Sequence, residues 1–203
     1  MLEILENVSF GGKIMYKVGD SFVHPMHGAG VVEEIQVKEF LGEQKHYYIM
    51  KMNAVNKSQT SSDVCVMVPV DNAGSIGIRD VIEETMANEV YEAFRSYQAD
   101  HTSNWNKRYR ENMEKIKSGD ILETAYVVKT LMLKELMKGL SMGEKKMLHD
   151  AKQIMFSELA LATRKSIEEL ETMFQEIVDA EVGVSSNASA QSRGVYENAY
   201  VEA

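Results

Sequence analysis

The fold class is decided at residues 64–84, VCVMVPVDNAGSIGIRDVIEE, where one hydrophobic pattern gives way to another. The apolar run 64–68 stops at a proline and is typical of a short buried strand. Asp80 and Glu83 have the spacing of a capping box, which predicts a helix that continues to about Ser96. A β region followed by a helical region predicts an α+β protein.

Three further strands are predicted upstream of this stretch. Turn signals at 25–28 and 41–43 separate them, and a polar segment precedes the strand at 64–68. Short strands divided by turns predict a small antiparallel barrel, which we assign to residues 15–72. The three upstream strands are predicted at 18–23, 29–40 and 46–52.

Four more helices are predicted downstream, and most carry local start signals. Ser103 is the candidate N-cap of the first helix. Asp120 with Glu123, and Ser141 with Glu144, form two further capping boxes. Connections of a few residues between capped helices predict a compact bundle. The four helices are predicted at 105–117, 121–138, 145–162 and 166–182.

The last predicted helix marks the end of the bundle, which we assign to residues 73–182. Its apolar side chains recur at helical spacing, at Ile167, Leu170, Phe174 and Ile177. The following segment, 183–203, is rich in Ser, Ala, Asn and Gln, a composition that predicts disorder.

Charge is distributed unevenly along a chain whose formal net charge is -9. Residues 101–165 hold 13 Lys and Arg against 8 Asp and Glu. Residues 1–100 hold 8 against 15, and residues 166–203 hold 1 against 8. An acidic protein with a basic central block predicts contact with DNA through one face and with a protein partner through another.

Several classes of function lack the residues that they require. Cys65 is the only cysteine, so no disulfide or cysteine-based zinc site can form within one chain. His24 and His27 are three residues apart, but Pro25 interrupts them in a turn, and we predict no metal and no cofactor. Phosphate-binding glycine loops and the nucleophile-elbow motif are absent from the sequence, which therefore offers no anchor for an enzyme.

Membrane and secretory segments are not predicted either. The longest apolar runs fall far short of the roughly 20 residues that a bilayer requires. Residues 1–13 lack a basic stretch followed by an apolar one, as a secretory signal would have. These features predict a cytoplasmic protein without membrane contact.

The segment 103–110, SNWNKRYR, contains the only tryptophan and three cations within five residues. A large flat ring at a helix start, flanked by cations, suits a DNA duplex, because cations meet phosphates and the ring can wedge between base pairs. In the alternative interpretation, Trp105 fills a junction between helices, and Lys107, Arg108 and Arg110 form a solvated face.

A second segment that suits DNA is 140–146, LSMGEKK. It is a capped helix start with Lys145 and Lys146, and free backbone N–H groups at such a start can hold a phosphate. An ordinary capping box with surface lysines would have the same sequence.

These segments, in this order, resemble the CarD/CdnL family of RNA polymerase-binding transcription regulators. The resemblance covers roughly residues 15–165. The matching motifs are YKVGD (16–20), HPMHGAG (24–30), VP (68–69), NA (72–73), IRDV (78–81), SNWNKRY (103–109), GLS (139–141), KML (146–148) and SELALA (157–162).

The resemblance implies a Tudor-like N-terminal domain that binds the RNA polymerase β subunit. It also implies a helical C-terminal domain that contacts double-stranded promoter DNA at the upstream edge of the transcription bubble. A tryptophan there wedges into the minor groove and favours the open complex. The implied protein is a monomer, associated with the nucleoid through polymerase. The alternative is a protein-interaction module of the same fold without DNA activity.

The family's functional residues carry over onto matching positions. Trp105 takes the place of the wedge, with Asn104 beside it. Lys38, followed by Glu39, falls where the family has a basic polymerase contact, whereas Met67 replaces a second basic contact. The cations implied near phosphates are Lys107, Arg108, Arg110, Lys145 and Lys146.

Family members begin close to the motif at residues 16–20, which here follows Met15 directly. The preceding Gly11, Gly12, Lys13 and Ile14 would be encoded by a G-rich and then an A-rich tract, as in a translated ribosome-binding site. We therefore predict that the natural protein begins at Met15 and that residues 1–14 are an extension. A genuine additional N-terminal segment is the alternative.

Overall fold

The computed structural model describes residues 16–40, 42–52, 65–98 and 105–197, without the side chains of Phe40, Trp105 and 184–197. The predicted extension at 1–14 and the predicted contact Asn104 lie outside these ranges. Within them, a sheet domain is followed by a helical bundle, so the predicted α+β architecture is confirmed.

The described strands form one antiparallel sheet of five, in the order β4-β3-β2-β1-β5. A register shift between Val32 and Glu34 bends the long pair β2 and β3, as an inserted residue does in a bulge. The rings of Tyr16, Phe22 and Tyr48 pack beneath the sheet with centroids 4.9 to 6.0 Å apart. The strands are β1 Ser21–His24, β2 Gly28–Phe40, β3 Glu43–Met52, β4 Cys65–Pro69 and β5 Arg79–Asp80.

The short strand β5 corrects the predicted start of the first long helix. Asp80 pairs with Phe22 in the sheet and does not cap a helix, and Glu83 makes no side-chain capping bond. The helix begins at Glu84 instead. The spacing of Asp80 and Glu83 indicates only a local preference for a helix start. The pairing of Asp80 with β1 is a tertiary interaction, and it overrides that preference.

The helical bundle agrees closely with the predicted pattern. The bounds of α3 and α4 match the predicted ones, and α5 begins at Met142, three residues earlier than predicted. No helix among the described residues is both long enough and apolar enough to cross a membrane. The helices are α1 Ala73–Ile76, preceded by a 3-10 turn at Val70–Asn72, α2 Glu84–Ser96, α3 Trp105–Lys117, α4 Ile121–Lys138, α5 Met142–Thr163 and α6 Ile167–Glu197.

Capping boxes were predicted at the starts of α4 and α5, and only the one at α5 has hydrogen bonds in both directions. The Asp120 carboxylate accepts from the N–H of Leu122 at 2.8 Å, but Glu123 pairs with Lys115 instead of returning a bond. The box at Ser141 and Glu144 is complete, so that prediction is confirmed.

Helix α6 extends beyond its predicted end. It continues through Gly183 to Glu197, where the composition of 183–203 had predicted disorder. Residues 183–197 contain no proline, and a helix already nucleated by packing can propagate through Ala, Ser and Asn. The apolar stripe also shifts by one position, because Val178 is buried rather than Ile177. Buried Lys129 of α4 holds this helix through an ion pair with Glu181 at 2.8 Å.

Candidate nucleic-acid interface

The starts of α3 and α5 lie against each other at one end of the bundle. A Cβ atom built on Gly143 would lie 3.7 Å from Cε2 of Tyr109, so the two helices are in contact there. Trp105 is the first residue of α3, one helical turn before Tyr109. Two segments separated by 30 residues of sequence thus form one surface, residues 105–110 and 141–146, called the α3–α5 end below.

Four of the five predicted DNA-contacting cations are exposed at the α3–α5 end. Lys107 pairs with Glu111 at 3.7 Å and Lys146 with Asp150 at 3.0 Å, each within its own helix. Exposed pairs of this kind stabilise a protein by about 0–1 kcal/mol, so a phosphate can displace either carboxylate. Arg110 and Lys145 have no ion-pair partner in the part of the chain that the structure describes.

Arg108 is placed differently from the other cations. It is half-buried on the inner side of α3 and lines two grooves between α3 and α4, together with Asn112 and Thr130. The larger groove has a volume of about 280 Å³. Arg108 therefore belongs to the packing between α3 and α4, and a phosphate contact would require its side chain to turn outward.

The start of α5 is held by a complete capping box and keeps a positive character. Glu144 is buried, accepts from the N–H and hydroxyl of Ser141, and pairs with Lys134. Burial alone would raise the pKa of Glu144, but the hydrogen bonds from Lys134 and Ser141 outweigh it, and the pKa is lowered. The negative charge of the Glu144 carboxylate is thus offset by the positive charge of Lys134. The N–H groups of Met142 and Gly143 have no acceptor among the described residues and can donate to a phosphate.

An apolar feature beside these cations was not predicted from the sequence. The side chain of Met142 is 82% exposed, and Leu136 and Met137 in the last turn of α4 are about half exposed. Met142 is the first residue of α5, directly after the N-cap Ser141, and no pattern in the sequence indicated its exposure.

The sheet domain groups two of the three predicted polymerase contacts. In the strand register, Lys38 of β2 lies opposite Lys45 of β3. Met67 of β4 lies opposite Ile49 of β3, which lies opposite Glu34 of β2. Side chains alternate along a strand, so Lys38 and Met67 share one face of the sheet, whereas Glu39 lies on the other. Met67 is 47% exposed. β4 is an edge strand among the described strands, with one side free of strand partners.

The two histidines considered as metal ligands form a turn. Their ring centroids are 4.5 Å apart, and Nδ1 of His24 accepts from the N–H of Met26 at 3.1 Å. Burial, with a smaller effect from His27, lowers the pKa of His24. Within residues 16–40, 42–52, 65–98 and 105–197, no three His, Cys, Asp or Glu side chains are grouped as metal ligands.

The fold is a small antiparallel sheet domain followed by a helical bundle with cations gathered at one end. Residues 16–82 match the domain described as "CarD-like/TRCF RID domain", and residues 89–175 match "CarD, C-terminal domain". The chain is 39% identical over 145 residues to a Bacillus subtilis (strain 168) protein described as "Putative transcription factor YdeB", covering 71% of this chain and 90% of that protein. The chain belongs to the CarD family, a family of transcription factors and not of enzymes.

Proposed function

We propose that this transcription regulator binds the RNA polymerase β subunit through its sheet domain and stabilises the promoter open complex through the α3–α5 end. The contact with DNA is in the minor groove at the upstream edge of the bubble, with Trp105 as the wedge. An open complex that lasts longer raises or lowers transcription, depending on which step limits a promoter.

The proposed DNA contact is supported by the contact between the starts of α3 and α5. Tyr109 contacts Gly143, and this contact brings Arg110, Lys145 and the exchangeable Lys107 and Lys146 to the end at which Trp105 begins α3. Cations that converge around a helix start suit a backbone on both sides of a groove. Exposed Met142 adds apolar surface, which minor-groove proteins use to hold unstacked base steps.

Support for the polymerase half comes from the sheet. The matched domain carries the RID name at residues 16–82. Lys38 and half-exposed Met67 share a sheet face beside the edge strand β4, and edge strands with apolar neighbours are suited to protein partners.

The DNA half is tested with Trp105→Ala in an open-complex lifetime assay on purified polymerase and promoter DNA. A wedge offsets the unstacking of a base step, a few kcal/mol, and alanine cannot fill that gap. We expect the lifetime extension to fall at least tenfold, while thermal unfolding and polymerase affinity stay unchanged. Trp105→Phe, which keeps an aromatic ring, should retain part of the effect. An unchanged lifetime with Trp105→Ala would favour the module without DNA activity.

The polymerase half is tested with Lys38→Glu, for which Lys17→Glu is a matched control because Lys17 is also exposed in the sheet domain. We expect Lys38→Glu to weaken binding to the β subunit several-fold and the control to leave it unchanged. Met67→Arg should strengthen the same binding, because it adds a cation on the face that Lys38 occupies. Equal affinities for all three variants would place the polymerase contact elsewhere.

A further inference from the structure

The sheet domain and the bundle are connected by a set of buried contacts, called the domain joint below. On the sheet side it consists of Gly28, Ala29 and Arg79, and on α5 it consists of Ser157 and Glu158. None of these residues lies at the α3–α5 end. By strand register, Ala29 and Arg79 lie on the same face of the sheet as Met67, but Arg79 is on β5, the edge strand opposite to β4.

The first half of the joint is a close approach of two backbones. Gly28 has φ +85°, and a Cβ built there would lie 2.4 Å from Oγ of Ser157 and 2.9 Å from the carbonyl oxygen of Gln153. The N–H of Ala29 donates to Oγ of Ser157 at 2.8 Å, and that hydroxyl donates to the Ile154 carbonyl at 3.1 Å. A glycine therefore lets α5 come within direct hydrogen-bonding distance of the sheet.

The second half is a bidentate ion pair. The two Nη atoms of Arg79 donate to the two carboxylate oxygens of Glu158 at 2.5 and 2.8 Å. Glu158 is 0% exposed and also accepts from the N–H of Ile82 at 3.2 Å. Nε of Arg79 donates to the carbonyl oxygen of Gly119 at 3.0 Å, in the turn between α3 and α4. A planar guanidinium bound to both Glu158 and Gly119 holds its neighbours in one orientation.

The joint acts on the α3–α5 end through the length of α5. Met142 precedes Glu158 by 16 residues, which is about 24 Å along a helix. A rotation of α5 by 10° about the joint would therefore move its first turn by about 4 Å, more than one base step of 3.4 Å. Because Arg79 also holds the turn after α3, it positions both helices of the α3–α5 end relative to the sheet.

We propose that Arg79, with Glu158 and the Gly28–Ser157 contact, is the positioning device that sets the spacing and angle between the polymerase-binding sheet and the DNA-binding end of the bundle. This inference rests on the proposed function. Its consequence is specific. Loosening the joint leaves each single binding event intact but reduces the stabilisation that requires both surfaces at once.

The experiment uses the full-length chain with two independent changes to the joint. Arg79→Lys keeps the charge but loses the bidentate geometry and the Gly119 contact. Gly28→Ala inserts a methyl group against Ser157. Gly19→Ala is the matched control, because Gly19 also has positive φ, +94°, but nothing lies within 4 Å of a Cβ built there. Circular dichroism and thermal unfolding confirm that each variant is folded.

Geometry is measured by electron–electron distance spectroscopy between spin labels on exposed Cys65 of β4 and on Glu176→Cys of α6. We expect one narrow distance in the unmodified joint and in Gly19→Ala, and a broadened or shifted distribution in Arg79→Lys and Gly28→Ala. Unlabelled variants should keep their affinities for polymerase and for DNA within about twofold, while the open-complex lifetime extension falls at least fivefold.

Three outcomes would overturn the inference. An unchanged distance distribution would show that the joint does not set the geometry. A broadened distribution with an unchanged lifetime would show that the geometry does not matter. Losses of polymerase and DNA affinity in proportion to lost stability would reduce Arg79 to a structural role. Failure of the proposed function would be visible separately, because the unmodified protein or Trp105→Ala would then show no effect on lifetime.

Discussion

The ion pair Arg79–Glu158 in the domain joint and the pair Lys146–Asp150 at the α3–α5 end have similar distances, 2.5 and 3.0 Å. Their surroundings differ. The Glu158 carboxylate is completely buried, whereas the Lys146 side chain is 78% exposed and its partner 40% exposed. In the joint, loss of Arg79 would leave the Glu158 charge without water or counter-charge, although Arg79 itself is 32% exposed. At the α3–α5 end, water replaces a lost partner at once.

The comparison shows why basic residues at the two places have different roles. A buried bidentate pair cannot exchange its partner without a large loss of free energy, so Arg79 fixes a geometry. An exposed i,i+4 pair exchanges freely, so Lys146 can leave Asp150 for a phosphate. The number of cations in a region is therefore a poor guide to binding, and their burial and pairing decide which of them are available.

The largest expected effect comes from breaking the buried pair. Glu158→Gln removes the charge opposite Arg79, and because the remaining Arg79 side chain is 32% exposed, we expect a loss of about 1–3 kcal/mol, less than for a fully buried pair. The exposed counterpart, Asp150→Asn, should change stability by less than about 1 kcal/mol. Urea unfolding of both variants measures the difference. Similar losses in the two variants would contradict the distinction between the joint and the α3–α5 end.

A smaller effect is expected from charge reversal at the α3–α5 end. If three or four phosphates are neutralised, the logarithm of DNA affinity falls with the logarithm of salt with a slope of about -3. Arg110→Glu should lower that affinity on the order of tenfold and reduce the slope by about one.

The matched control for this change is Lys117→Glu. Lys117 is exposed on α3 seven residues after Arg110, so it lies on the same side of the helix but at the opposite end. Fluorescence anisotropy at several salt concentrations compares the two variants. A flat salt response, or equal losses from both, would remove the α3–α5 end as the DNA surface.

The smallest expected effect is the pH dependence of the α5 cap. The pKa of Glu144 is lowered in the folded protein, so its contribution to stability is present above its ordinary pKa and is lost as pH falls through the folded value. Glu144→Gln keeps a side chain that can reach Ser141 but lacks the charge opposite Lys134. It should be less stable than the unmodified protein by about 1 kcal/mol at pH 7.

The difference between Glu144→Gln and the unmodified protein should shrink only as the pH is lowered below the ordinary carboxyl value of 4.5, because Glu144 is protonated as the pH falls through its lowered folded pKa. Denaturant unfolding at several pH values measures this. A difference that stays constant with pH would show that the Glu144 charge does not stabilise the start of α5.

Local pattern was sufficient for the helices whose ends are set by nearby residues. Ser141 and Glu144 satisfy each other's neighbouring groups, and Gly119 and Gly139 adopt the positive φ that ends a helix, at 76° and 75°. The bounds of α3 and α4 could therefore be predicted from the chain alone. The start of α2 could not, because Asp80 takes its conformation from Phe22, almost sixty residues away.

The candidate site likewise has features that the sequence predicts and features that only the folded chain shows. Residue types at short spacing were enough to predict the family, the α+β order and most of the candidate cations. Three further properties depend on the folded chain: residues 105–110 adjoin 141–146, Arg108 packs against α4 while Arg110 is exposed, and Arg79 binds Glu158. Burial and pairing between distant segments set these properties, and neither is encoded in the spacing of neighbouring residues.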